Sequence, residues 1–311
     1  MSVLITGGAG FIGSSLAHAL CSRGDSVRVI DNLSSGLASN LHGTSAELVV
    51  GSILDKDALR SVLDDVTSIV HLAARGSVPR SVADPMGTHA ANTEGTLAVL
   101  EAAREIGAHV VFSSSSSVYG VNTTLPKKEE MWAQPMSPYG ASKLAAESYC
   151  LAYRQVYEMD VMAFRFFNVY GPRQRADHDY AAVIPRFVWA ALHNETLMIH
   201  GDGEQTRDFT HIDSVVRILL DAVDRRVSHD RPVNLAFGDR VTVNGIAQEV
   251  QRQVEKPARV VHADARVGDV RDSRNDPTLL LSLFPESAKA VDFQDGISSV
   301  INWMSEIASP A

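Results

Sequence analysis

Through the first half of the chain, short apolar runs alternate with stretches whose apolar residues recur at helical spacing. Residues 3–6, 27–30, 47–50, 68–72, 110–113 and 161–165 read as short strands, most of them apolar on both faces, which is the pattern of strands buried inside a parallel sheet. Residues 11–22, 55–62, 93–106 and 141–157 read as helices between them. Strand and helix in alternation predict an α/β fold, with a parallel sheet covered on both faces.

After about Phe166 the rhythm changes. Pro172, Arg173, Gln174 and Arg175 form a polar loop, and Pro185 begins an amphipathic helix running to about His193. Residues 197–200, 213–223, 233–236 and 243–254 then mix short strands and helices, which predicts a smaller α+β region. The expected division is 1–166 and 167–311, with elements near 210–237 returning to the main sheet. Asp213 reads as a helix N-cap. No internal repeat is visible, and the serine run 113–117 ends an apolar strand rather than forming a linker.

Composition narrows the partners. The chain has 311 residues, 45% of them hydrophobic, which suits one large domain with a smaller appendage. Against 37 Asp and Glu there are 28 Lys and Arg, a formal charge of −9, so no general grip on nucleic acid or an anionic membrane is expected. A few local arginines can still hold a small anion. Cys21 and Cys150 have no metal-like spacing, and neither a disulfide scaffold nor a metal site is expected. The opening apolar residues meet glycines after Ile5, too soon for a signal peptide, and no stretch approaches the ~20 apolar residues that cross a bilayer. The expected class is soluble, globular and cytoplasmic.

Chemistry enters with Thr6-Gly7-Gly8-Ala9-Gly10-Phe11-Ile12-Gly13, which follows the first strand and opens the first helix. Glycines at 7, 10 and 13 allow a tight turn, a close approach of backbone to a pyrophosphate and close helix packing. The exposed N–H groups and dipole of that helix start favour an anion. Asp31 ends the second strand about 20 residues past the turn, where a carboxylate suits a free ribose diol and would repel a 2′-phosphate. No Lys or Arg occurs in residues 32–41 to neutralise one, so NAD is favoured over NADP.

Tyr139-Gly140-Ala141-Ser142-Lys143 places a phenol and an ammonium on one helix face. A free Tyr titrates near 10. A neighbouring ammonium and an oxidised nicotinamide would both favour the phenolate, so Tyr139 is expected to work as a general base beside Lys143.

These motifs, with Asp31-Asn32-Leu33-Ser34-Ser35-Gly36, His71-Leu72-Ala73-Ala74, Ser113 to Gly120, Phe166-Phe167-Asn168 and Gly201 to Asp208, resemble the extended short-chain dehydrogenase/reductase family. Within it, the chain resembles the NAD-dependent nucleotide-sugar epimerases, over nearly its whole length. The resemblance implies a Rossmann-type doubly wound parallel sheet with a smaller α+β substrate-binding domain. It implies tightly bound NAD, held by Gly7, Gly10, Phe11, Ile12, Gly13, Asp31, Asn32, Ser35, Gly36, Ser52, Ile53, Leu72, Ala73, Ala74, Asn92, Ser113, Tyr139 and Lys143. Ser52 departs from the pattern, because relatives usually present an Asp to the adenine.

Counted back from Val118-Tyr119-Gly120, Ser115 falls on the family's catalytic serine, which completes the set Ser115, Tyr139 and Lys143. Related dehydratases carry an acidic pair in this segment where this chain has serines, which favours epimerisation. The implied reaction is inversion of the C4 hydroxyl of a UDP-sugar through a transient 4-keto sugar. Ser77, Val78, Ser115, Ser116, Tyr139, Asn168, Arg175, Val183, Arg207, Arg271 and Ser273 are the residues expected at the substrate, with Arg207, Arg271 and Asn168 at the diphosphate.

The hints about the sugar point two ways. Residues 180–185 and 268–273 resemble epimerases of N-acetylhexosamines, with Ser273 leaving room for a 2-acetamido group. Gln174-Arg175 resembles uronate 4-epimerases, in which an arginine at that place meets the sugar carboxylate. UDP-glucose and UDP-galactose, with UDP-N-acetylhexosamines, are the leading expectation. UDP-glucuronate epimerisation or another nucleotide-sugar conversion is the alternative, and an NAD(H)-sensing regulator a distant third. His71 reads as a structural strand-end residue. The helices from Thr93 and through Lys143 usually pair with their symmetry mates in similar proteins, which implies a homodimer.

Overall fold

Seven parallel strands form the central sheet of the computed structural model, which describes residues 1–177, 181–255, 257–264 and 271–308. They are β1 (Ser2–Thr6), β2 (Ser26–Asp31), β3 (Glu47–Val50), β4 (Ser68–His71), β5 (His109–Ser115), β6 (Val161–Phe166) and β7 (Val233–Leu235), in the order β7-β6-β5-β4-β1-β2-β3. β1 sits between β2 and β4, so the winding direction reverses at its C-terminal end. That reversal leaves a crevice where α/β proteins bind their ligands.

The helices are α1 (Phe11–Ser22), α2 (Lys56–Arg60), α3 (Val78–Ala83), α4 (Pro85–His89), α5 (Gly95–Ile106), α6 (Pro138–Tyr157), α7 (Val183–Leu192), α8 (Ile212–Asp224), α9 (Val243–Val254), α10 (Thr278–Leu283) and α11 (Phe293–Ala308). Alternation along the strands divides the core. Val3, Ile5 and Val111 pack with Leu16 and Leu20 of α1 and Val215 and Leu219 of α8. Leu4, Val110 and Phe112 face the other way, onto Leu59, Val99, Leu100 and Ala146. Cys150 fills that second layer, and burial pushes its thiol up. A separate core gathers α7, α9 and α11 around Phe187, Val188, Ile246 and Val300, beside the parallel pair Leu197–His200 and Val260–Ala263.

Several boundaries differ from the sequence reading for local reasons. α6 starts before residue 141, because Ser137 Oγ accepts from the Gly140 amide at 3.1 Å and Pro138 suits the first turn. α2 stops at Arg60, and Val62 and Leu63 close tighter turns onto Leu59 and Arg60 instead. Asp213 is not the cap of α8. His211 Nδ1 accepts from the Asp213 amide at 3.2 Å, which leaves Asp213 in the first turn, where its charge suits the helix dipole. α3 and α4 fill a stretch that carried no expected element, although each has a signature: Ser77 and Asp84 cap them, and each has proline in its first turn. No helix of the described residues is long and apolar enough to cross a membrane.

Candidate active site

The turn after β1 is built from bare backbone. Gly7 has φ +70°, and a Cβ there would stand 2.7 Å from the Cα and amide of Ala73 at the end of β4. A Cβ on Gly13 would stand 2.5 Å from the Gly7 carbonyl, whereas on Gly10 it would meet only that carbonyl, at 3.2 Å. Gly10 opens α1 with no side-chain cap on its first amides. Phe11 and Ile12, half-buried, follow it as the first helical residues. A pyrophosphate could therefore approach the helix start without meeting a side chain.

Asp31, buried at the end of β2, accepts from the Ala9 amide through Oδ2 at 3.0 Å and from the Leu33 amide through Oδ1 at 2.8 Å. Each oxygen retains a second acceptor site for a ribose hydroxyl. Asp31 therefore braces the glycine turn as well as marking the diol position. Asn32 Oδ1 accepts from the Ser34 amide, Ser35 is exposed, and Gly36 is pressed against Ala9. Ser52 Oγ holds the Leu54 amide, and Ile53 is buried against Gly95. This arrangement of uncapped amides, carboxylate and glycine cradle fits NAD.

A directed chain of hydrogen bonds links the glycine turn to α6. The Ala73 amide donates to Thr6 Oγ1, so the Thr6 hydroxyl is left to donate to His71 Nδ1, at 2.7 Å. Nε2 of His71 then carries the proton and meets Thr96 Oγ1 at 2.9 Å, while the Thr96 hydroxyl donates to the Asn92 carbonyl. Asn92, in a π-helical turn, accepts the Arg75 amide at 2.7 Å and donates to Ser142 Oγ at 2.9 Å. Ser142 Oγ in turn donates to the Tyr139 carbonyl. The expected cofactor residue Asn92 is thus engaged as a brace, and Leu72, Ala73 and Ala74 form the half-buried edge that the chain fixes. Burial and the nearby Lys143 hold His71 down to about 3, a neutral ring. Arg75 is ion-paired with Asp84.

Ser115 ends β5 and acts on the phenol of Tyr139, which lies on α6. Burial pushes the Tyr139 phenol above its ordinary value, and Ser115 opposes this. Lys143 is buried and donates to the Ser113 carbonyl at 2.7 Å, and desolvation lowers it to about 8. The expectation that Lys143 lowers Tyr139 is not what this geometry gives. The ammonium is committed to the strand, and Ser115 is the group acting on the phenol. Ser116 opens a short 3-10 turn beyond Ser115.

Sequence reasoning missed what lies behind that strand. Ser114 points away from Ser115 and donates to Glu147 Oε2 at 2.6 Å. Glu147 forms a two-pronged pair with Arg165, at 2.7 and 3.0 Å, with both side chains at most 5% exposed. Arg165 also donates to the Tyr119 hydroxyl, which donates to Asn234 Oδ1 at 2.7 Å. The signal was available: an arginine inside an apolar strand needs a buried partner.

A cavity of about 660 Å³ is lined by Ser77, Val78, Asn168, Val183 and Arg207, all expected at the substrate. It also brings in Arg186, Tyr170, Gln205 and Phe209, which were not expected. Arg186 lies one helical turn beyond Val183, a spacing that could have flagged it. Asn168, at φ +33°, donates to the Asp208 carbonyl at 2.9 Å, and Arg207 donates to the Thr206 and Arg271 carbonyls. Ser77 is also in a left-handed conformation, at φ +107°.

Other expected residues lie elsewhere. Arg175 is paired with Asp177 at 2.8 Å and lines a different cavity. Arg271 is 71% exposed and paired with Asp202 at 3.1 Å, so its backbone, not its guanidinium, meets Arg207. The Ser273 amide donates to the Thr206 carbonyl, and Ser273 is outside the cavity lining. Tyr180, Gly268, Asp269 and Val270 of the two N-acetylhexosamine-like segments lie outside the described residues. Among the described residues, no cluster of three or more His, Cys, Asp or Glu could hold a metal.

The sequence matches the model of the NAD dependent epimerase/dehydratase family over residues 3–238. A UDP-glucose 4-epimerase of Mycolicibacterium smegmatis is 38% identical over 285 residues, covering 89% of this chain and 90% of that protein. A UDP-N-acetyl-alpha-D-glucosaminuronate decarboxylase of Bacillus cytotoxicus is 31% identical over 318 residues, covering 98% of each. Among solved structures, a UDP-N-acetylglucosamine 4-epimerase from Methanobrevibacter ruminantium M1, in complex with UDP-N-acetylmuramic acid, superposes with a TM-score of 0.92 at 34% identity, covering 98% of both chains.

Proposed function

The chain belongs to the NAD-dependent epimerase/dehydratase family, and we propose that it is a UDP-sugar 4-epimerase, inverting C4 of UDP-glucose or UDP-galactose and of their N-acetylhexosamine counterparts. The observation that carries this reading is the pairing of Ser115 with Tyr139, whose phenol it pulls down, at a strand end with no carboxylate among residues 113–118. Such a site can move a hydroxyl proton but lacks a local acid for eliminating water.

Ser115 orients the sugar 4-hydroxyl, and Tyr139 takes its proton. NAD, when bound, supplies the hydride acceptor and donor at C4. Lys143 fixes α6 to the end of β5 and keeps a positive charge beside the nicotinamide ribose position. After the 4-keto sugar turns over, Tyr139 returns the proton to the new hydroxyl. Arg207, Arg186 and Asn168 hold the diphosphate while the sugar pivots.

The placement of Arg175 supports neutral sugars over uronates, because its guanidinium is already satisfied by Asp177 and stands apart from the cavity of Asn168 and Arg207. The test is product analysis after incubation with UDP-glucose, UDP-N-acetylglucosamine and UDP-glucuronate in turn, without added cofactor. A 4-epimer of either neutral sugar supports the proposal. Conversion of UDP-glucuronate alone, by epimerisation or loss of carbon dioxide, refutes it.

The outer faces of α5 and α6 carry the exposed apolar residues Ile106, Tyr149, Val156 and Tyr157. That patch supports a homodimer formed across these helices. Light scattering should give twice the 33.6 kDa chain mass, and Val156→Glu should return it to one.

A further inference from the structure

A second cavity, of about 460 Å³, shares no lining residue with the first. It lies where α1, the 173–177 loop, α7 and α11 meet. Its apolar surface comes from Trp189, Trp303 and Met304, and its charged residues are Arg173 and the ion pair of Arg175 with Asp177.

Arg173 is the unusual member. It is half-buried, sits at φ +70°, and makes no hydrogen bond or ion pair with any described residue. Burial lowers its affinity for its proton, and the carboxylate of Asp213 acts in the opposite sense from a distance. The guanidinium remains charged throughout the working range. Its charge also helps hold His18, on the α1 wall, below its ordinary value. A cation withdrawn from water with no counter-charge in contact is costly unless an anion completes it. Indole rings beside it offer flat apolar surface for a ring system.

We propose that this cavity is a second ligand site, which binds a small oxyanion carrying an aromatic ring. The oxyanion meets the Arg173 fork, and the ring lies against Trp189 and Trp303. Neither half is sufficient. A bare anion leaves the indoles wet, and a neutral ring leaves Arg173 unpaired.

The test is calorimetric titration of the full chain, saturated with UDP to occupy the first cavity. The ligands are phenyl phosphate, benzoate, inorganic phosphate and phenol. Phenyl phosphate, benzoate or both should bind at one site per chain, and inorganic phosphate and phenol at least about tenfold more weakly. Which of the two ring-bearing ligands binds tells phosphate from carboxylate. R173Q should weaken binding by about tenfold or more while leaving turnover unchanged. W303L provides the same reading from the apolar side if R173Q fails to fold. The proposal is overturned if neither ring-bearing anion binds, if binding survives both substitutions, or if binding appears only in the absence of UDP.

Discussion

Lys143 donates its ammonium to the carbonyl of Ser113, at 2.7 Å, two residues before the serine that pulls down the Tyr139 phenol. Helix and strand are thereby joined at the point where the chemistry is placed. Burial lowers Lys143 to about 8. Deprotonation removes the positive charge proposed to stand beside the nicotinamide ribose position, so turnover should decline as pH rises through about 8. Lys143→Met should remove that alkaline limb along with most of the activity. A pH–rate profile flat to pH 10 would show that the ammonium is not required.

Ser115 pulls the Tyr139 phenol down against burial. In Ser115→Ala the phenol rises, so a higher pH is needed to form the base. The acid limb of the kcat profile should move up in pH, and kcat at neutrality should fall roughly tenfold to a hundredfold. An unshifted limb would remove Ser115 from this role.

Glu147 and Arg165 form a buried pair behind β5. Removing one partner strands the other charge, at a cost of about 3–5 kcal/mol. Glu147→Leu should therefore lower the denaturation midpoint severely. Glu147→Leu with Arg165→Met should recover much of the loss, because no charge is left unpaired. Equal losses for single and double variants would contradict this.

His71 is held neutral down to about 3, against an ordinary value of 6.5. Below pH 6.5 the unfolded chain takes up a proton that the folded chain refuses until about 3. Stability should thus fall as pH drops through that window. His71→Gln should show a shallower fall than the parent between pH 6.5 and 4, measured by denaturant titration at each pH.

Much of the sheet was legible because its strands are continuous apolar runs, and because glycines and Asp31 mark the turn that follows β1. The limits of α1, β3 and α9 came out as the periodicity indicated. What was hidden depends on contacts between distant residues. Nothing local to Thr6, His71, Thr96 and Asn92 says that they form one chain. Glu147 reads as an ordinary polar residue on a helix until Arg165 is placed beside it. Arg175 is a further case: its motif suggests a sugar carboxylate, and in the fold its guanidinium is paired with Asp177, two residues away. α3 and α4 were missed because five- and six-residue helices carry too little periodicity, and their caps had to be read instead.

The most direct test of the central claim, that hydride leaves C4 and returns to its other face within one site, is the fate of isotope at C4. UDP-glucose deuterated at C4 should give UDP-galactose that keeps its deuterium at C4, with no added NAD and with protons freely available in solvent. Loss of deuterium to solvent, or its appearance at another carbon, would contradict the account.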